Sequence, residues 1–233
     1  MASFHKHVAK RAYTDATPAR NAPHTKVVLI TAPAGSGKST LIRRVFFNGD
    51  ATWPLYKHIY TNPKSDKQTF TLYHQNNNKI IMGAYKFPDA SEWGKKNRGK
   101  TPTNGGTDKL QPQSTLATRD LIMNTSAHVI VLESSTGKIL NKIPSLFVPI
   151  MTSSRHELVV IELTGPTREE LLTRIETRDG LNRDNAMTLL EKTIGAIDKC
   201  KQKLAASHQP FHWYTMTLQQ AESYLQTCGV QKN

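Results

Sequence analysis

The stretch that most limits how this chain can fold is Lys26 to Leu41, KVVLITAPAGSGKSTL. Val27 to Thr31 is β-branched and aliphatic and reads as a strand. It runs into a turn of small residues, and Ser39-Thr40-Leu41 then opens a helical segment. From position 32 the turn fits the pattern GxxxxGK[ST], with Ala32 in place of the first glycine and Gly37-Lys38-Ser39 matching the remainder. The substitution is mild, because that first position needs only a small residue.

The pattern has a chemical meaning. Gly35 and Gly37 allow consecutive backbone N–H groups to turn inward around phosphate oxygens, and the following helix brings its partial positive end to the same point. Ala34, Gly35, Ser36, Gly37, Lys38, Ser39 and Thr40 are therefore the candidate nucleotide contacts. Lys38 would reach the β- and γ-phosphates, and the Ser39 hydroxyl would bind Mg²⁺. A glycine-rich turn carrying a lysine by chance is the bland alternative, and the strand before it and helix after it argue against that. The expected cofactors are ATP and Mg²⁺. The motif does not identify a phosphoryl acceptor.

With 233 residues, the chain suits one α/β domain. The expected organisation is a flexible basic arm over residues 1–25 and a P-loop domain over 26–233. Lys and Arg total 31 against 18 Asp and Glu, a net charge of +13, and such an excess points to nucleic acid as a partner. A merely basic soluble protein would show the same imbalance. Cys200 and Cys228 have neither a disulfide framework nor metal-ligand spacing, which suits a reducing, cytoplasmic setting. No apolar run of roughly 18 residues is present, and the N-terminus lacks an apolar signal core, so no membrane association is expected. Nothing bears on oligomeric state.

Along the chain, Leu41, Ile42, Val45 and Phe46 recur at helical spacing before Asn48-Gly49-Asp50. Strands are expected at 56–61, 70–73 and 80–84, the last two joined by a hairpin turn at Gln75-Asn76-Asn77-Asn78. Periodicity then lapses from Tyr85 to Gln113, a long stretch with Lys95, Lys96, Arg98, Lys100, Tyr85, Phe87 and Trp93. It is the candidate acceptor-binding loop. Beyond it lie a short helix (114–125), a near-continuous apolar strand (127–133), and an apolar segment from Gly137 to Met151 that reads as a helix broken by Pro144 and Pro149. A second buried strand (157–163), a helix (168–178), a long amphipathic helix from Met187 to Leu204, a strand (213–216) and a last helix (218–228) follow. The alternation predicts a three-layer α/β fold around a mostly parallel central sheet.

Three further sets of residues are candidates for chemistry. Glu133 ends an apolar strand, where a carboxylate can hold a water on Mg²⁺ or simply cap the strand. Arg174 and Arg178 share a helical face, with Arg183 following after Asp179-Gly180. Together they form either a cationic lid over ATP phosphates or a surface helix with internal ion pairs, since Glu170 precedes Arg174 by four positions. Asp108, beside Gly105-Gly106, suits a general base and equally a solvated turn. Trp93 could stack on a base, although aromatics more often anchor a loop.

These elements together resemble the small P-loop kinases of the polynucleotide kinase type over roughly residues 26 to 228. More narrowly, Gly83-Ala84-Tyr85 followed by Asn104-Gly105-Gly106-Thr107-Asp108-Lys109-Leu110 is similar to a segment of bacteriophage P-loop kinases that act on 5-hydroxymethyluracil in DNA. That resemblance implies phosphorylation of the base's hydroxymethyl group, with Asp108 as base and Lys38, Mg²⁺, Arg174 and Arg178 offsetting phosphate charge. It implies DNA with a flipped base as the partner, and a host-cell cytoplasmic location for a phage-encoded chain. A 5′-hydroxyl polynucleotide kinase, a nucleoside or nucleotide kinase, and a DNA-coupled ATPase are the alternatives.

Overall fold

The computed structural model describes residues 8–10, 24–47, 53–83, 85, 115–135 and 137–228. Its strands in chain order are β1 (Val8–Lys10), β2 (Thr25–Thr31), β3 (Leu55–Thr61), β4 (Gln68–Asn76), β5 (Lys79–Met82), β6 (Val129–Ser134), β7 (His156–Thr164) and β8 (His212–Thr217). The helices are α1 (Lys38–Phe47), α2 (Thr115–Asn124), α3 (Gly137–Leu140), α4 (Val148–Thr152), α5 (Arg168–Asp179), α6 (Arg183–Ala206) and α7 (Leu218–Thr227). A π-helical turn, Ile143–Phe147, lies between α3 and α4.

All the strands join one sheet in the order β1-β3-β4-β5-β6-β2-β7-β8. From β5 to β8 every pairing is parallel. The β3-β4-β5 meander adds two antiparallel pairings to that core. The chain is thus α/β with a mostly parallel sheet, as expected from the alternation of elements.

Burial explains why β2, β6 and β7 read as unbroken apolar runs, since both of their faces are covered by helices. Val27, Leu29, Ile130, Leu132, Leu158 and Val160 pack on one side with Leu121 and Ile122 of α2 and with Ile197, Cys200 and Leu204 of α6. Val28, Ile30, Val131, Val159 and Ile161 pack on the other with Leu41, Ile42 and Phe46 of α1 and with Ala221 and Leu225 of α7. Alternate residues of one strand therefore serve two cores. Each buried aliphatic side chain contributes about 1.5–3 kcal/mol of transfer free energy.

Local chemistry sets the element ends. Asn76 pairs with Lys79, so Asn77-Asn78 alone turn the hairpin, and Asn77 takes the positive φ of 49° that a tight turn requires. Pro144 lies in the π-helical turn and Pro149 in the first turn of α4, dividing the expected broken helix. Thr167 with Glu170, and Thr217 with Gln220, form capping boxes that start α5 and α7. Gly180 ends α5 in the left-handed conformation at φ 64°.

Two boundaries differ from expectation. β2 begins at Thr25, whose hydroxyl donates to the Ala127 carbonyl, so this residue belongs to the sheet rather than to the preceding arm. Val8–Lys10, also assigned to the arm, pairs parallel with Leu55–Lys57, and three residues are too few to show a period. Asn48-Gly49-Asp50 lies outside the described residues. Among those described, no helix is long and apolar enough to cross a membrane.

Candidate functional site

β2 lies between β6 and β7, so the strand order reverses at it. Open α/β sheets bind ligands at such switch points. Residues 32–37 occupy that place and deliver the chain into α1.

The loop is held from several sides. Gly35 and Gly37 adopt φ values of 82° and 86°, a region that L side chains rarely enter. A Cβ on Gly35 would stand 3.2 Å from the Leu171 carbonyl oxygen and 3.5 Å from Arg174 Cβ, so α5 lies directly on the loop. Ala34 is buried with Leu171, Leu172 and Ile175 of α5 and with Ala186 and Leu190 of α6. Its N–H donates to Thr193 Oγ1 at 3.2 Å, while the Thr193 hydroxyl donates to the Leu190 carbonyl at 2.8 Å. Ala34 therefore serves the loop through packing and this anchor. Thr193 was not a sequence candidate, because a lone threonine inside a helix gives no local signal.

Lys38 is buried, and its Nζ donates to the Ala32 carbonyl at 2.9 Å and the Pro33 carbonyl at 3.1 Å. Ser36 is buried beside it, and its N–H reaches the Pro33 carbonyl at 3.4 Å. The first bond of the α1 ladder runs from Leu41 N–H to the Gly37 carbonyl, so the N–H groups of Lys38, Ser39 and Thr40 stand ahead of the ladder. α1 has no acidic residue of its own in its first turn.

Ser39 Oγ donates to Glu133 Oε1 at 2.6 Å. Glu133 is level with Ile30 across the β2-β6 ladder and only 5% exposed. The carboxylate that the sequence places at the end of an apolar strand thus meets the hydroxyl of the glycine-rich motif, 94 positions away. Two hard oxygen donors at one point form the kind of set that Mg²⁺ prefers.

The three arginines separate. Arg174 Nη1 donates to the Gly35 carbonyl at 3.4 Å, which puts it at the loop. Arg178 Nε bonds Asp179 Oδ1 at 2.8 Å, and its Nη2 pairs with the other oxygen of that carboxylate. Arg183 pairs with Glu169 and, at 3.4 Å, with Glu176, tying the start of α6 to α5. Ion pairing thus describes Arg178 and Arg183. Glu170 accepts from the Thr167 N–H and hydroxyl, and these hydrogen bonds hold its carboxyl below the usual range. Its carboxylate is turned to the cap, and Arg174 extends to the loop.

Asp108 and Trp93 lie outside the described residues, as does most of the 85–113 segment. Tyr85 is described, and it anchors rather than stacks. Its ring is buried 5.8 Å from Phe47, and its N–H donates to His74 Nε2 at 3.1 Å. His74 Nδ1 meets the Trp53 carbonyl at 3.1 Å, so with Nε2 accepting, Nδ1 carries the proton and the imidazole is neutral.

Neither a protein-family model nor a curated protein matches the chain.

Proposed function

We propose that the chain is an ATP- and Mg²⁺-dependent phosphotransferase of the P-loop kinase type that moves the γ-phosphate to a hydroxyl on DNA. The observation that carries this reading is the 2.6 Å bond between Ser39 and Glu133, at the switch point and beside the glycine-rich turn. The hydroxyl of Ser39 and the carboxylate of Glu133 would hold the metal, Glu133 through water. When bound, Mg²⁺ draws negative charge off the phosphate oxygens.

The loop's own groups account for the rest of the donor half. N–H groups ahead of the α1 ladder would face phosphate, with the positive end of the helix behind them. Lys38, held at the loop by two carbonyls, brings its charge to the triphosphate. Arg174 approaches from α5 and offsets charge that develops on the transferring group. The acceptor oxygen attacks the γ-phosphorus in line, the bond to the β,γ-bridging oxygen breaks, and ADP leaves. By the resemblance, Asp108 takes the hydroxyl proton.

The excess of Lys and Arg over Asp and Glu, 31 against 18, supports a DNA acceptor. The resemblance to bacteriophage kinases selects the hydroxymethyl group of 5-hydroxymethyluracil, reached by extruding the base. Two buried free cysteines suit a cytoplasmic protein. Burial pushes the Cys200 thiol up to about 12, which leaves it inert.

The test supplies γ-labelled ATP with duplex DNA containing 5-hydroxymethyluracil, ordinary thymine duplex, 5′-hydroxyl oligonucleotides, and free nucleosides or nucleotides. Label on the first substrate alone is expected. Label confined to 5′ ends would identify a polynucleotide kinase. Label confined to free nucleosides or nucleotides, or phosphate released with no labelled acceptor, would overturn the DNA-kinase reading.

A further inference from the structure

The β3-β4 pair is longer than its place in the sheet requires. Across the ladder Ile81 is level with Val131, so Gly83 is level with Glu133, and the Gly83 N–H donates to the Leu72 carbonyl at 2.9 Å. β5 has ended by this level, yet β3 and β4 continue paired from His58 with Thr71 to Thr61 with Gln68. At the usual strand rise, the four residues from Leu72 to Gln68 carry the ribbon about 14 Å past the level of Glu133. β3 runs parallel to β5, and β5 to β6, so the ribbon rises from the carboxyl-end edge where Ser39 and Glu133 meet.

The ribbon is built to stand there. At its root His58 Nε2 meets Asp120 Oδ2 at 2.7 Å, and the Thr118 hydroxyl donates to Thr71 Oγ1 at 3.2 Å, so α2 braces one face. At its tip Asn62 organises the turn. Its carbonyl accepts from Ser65 N–H at 3.1 Å and Asp66 N–H at 2.9 Å, and its side chain accepts from Lys64 N–H at 3.0 Å. Lys64 and Lys67 are exposed on this turn. Lys57 lies over the Phe70 ring at 4.3 Å on the face opposite the α2 brace. Over residues 57–72 the charged side chains are these lysines and Asp66 alone.

We propose that this ribbon is the arm by which the protein docks duplex DNA, with Lys64 and Lys67 on backbone phosphates. The proposal rests on the DNA-directed reading of the site. A two-stranded ribbon fits the major groove, and cationic tips fix register on the duplex without reading sequence. A braced arm that projects from the reacting edge sets the distance between the duplex backbone and the transferred phosphate.

The experiment measures binding of a short duplex containing 5-hydroxymethyluracil across a salt series, for the native chain and for Lys64→Ala/Lys67→Ala. A matched control, Lys199→Ala/Lys203→Ala, removes the same charge from exposed positions on α6. Because the tip variant no longer neutralises two phosphates, its slope of log K against log salt should become shallower by about 1.8, while that of the control stays unchanged. The KM for DNA should rise in the tip variant while ATP affinity holds. Unchanged tip-variant binding, an equal loss in the control, or no duplex binding by the native chain would each overturn the proposal. Label transfer decides the catalytic reading separately: native protein that phosphorylates duplex DNA with an unaltered tip variant loses only the ribbon. A ribbon-dependent salt slope with label only on free nucleosides removes only the DNA kinase.

Discussion

Ser39 Oγ lies 2.6 Å from Glu133 Oε1, joining the first turn of α1 to the end of β6. The bond links the two oxygen groups expected to hold Mg²⁺. Glu133→Gln keeps the volume and an acceptor for Ser39 while removing the charge, and Ser39→Ala removes the hydroxyl. Transfer should fall roughly a hundredfold or more in each, with the melting temperature of Glu133→Gln close to native. Initial rates across a Mg²⁺ series, read with thermal melts, check this. Native-like rates in both variants would remove the pair from the chemistry.

Gly35 combines a φ of 82° with the Leu171 carbonyl 3.2 Å from where a Cβ would stand. Gly35→Ala therefore meets backbone strain and crowding together, at a cost of about 1–3 kcal/mol. Urea unfolding should show that loss, and ATP affinity should drop because α5 and the loop cannot both hold their places.

Thr193 accepts the buried Ala34 N–H at 3.2 Å. Thr193→Val preserves shape but leaves that donor without its acceptor, a loss of about 1–3 kcal/mol. Amide hydrogen exchange should quicken at Ala34 before it quickens in the sheet. Unchanged exchange there would mean the bond does not hold the loop.

Arg174 reaches the Gly35 carbonyl, whereas Arg183 is engaged with Glu169 and Glu176. Arg174→Ala should lower kcat with less effect on ATP affinity, because the transferring phosphoryl group gathers charge only in the transition state. Arg183→Ala should lower the melting temperature slightly and leave kcat near native. Single-turnover rates and nucleotide titrations separate the two, and a reversed pattern would exchange their roles.

Burial pulls His156 below its ordinary pKa of 6.5, with Arg155 and His24 adding to the shift and the bond to the Ile122 carbonyl opposing it. As pH falls through 6.5, the unfolded chain takes up this proton and the folded chain resists. Stability due to His156 is therefore full above that pH and is lost on acidification toward its folded value. Melting temperatures from about pH 7 to about pH 5 should fall more steeply in the native protein than in His156→Gln. Parallel curves would refute the assignment.

Where one face or both faces of an element are buried, periodicity carried the information. The runs of β2, β6 and β7, the spacing on α6, and the Asn76 to Asn78 turn all follow from side chains that must match a local geometry. The glycine-rich turn could be read for the same reason, since positive φ at Gly35 and Gly37 demands glycine. The expected helix starts at 168 and 218 hold, and the structure shows that capping boxes of Thr167 with Glu170 and Thr217 with Gln220 fix them. Nothing local marks Thr193 as the anchor of Ala34, nor the ribbon's rise past β5, because both depend on which elements become neighbours.

The sequence by itself determined the strand, turn and helix around Lys38, the apolar strand ending in Glu133, and the basic balance of the chain. These depend on residue type and short-range period. Tertiary structure alone decided that Glu133 meets Ser39, that Arg174 faces the loop while Arg178 and Arg183 pair with carboxylates, and that Tyr85 is core. Such pairings span up to 139 positions, and only the order of strands in the sheet brings them within reach.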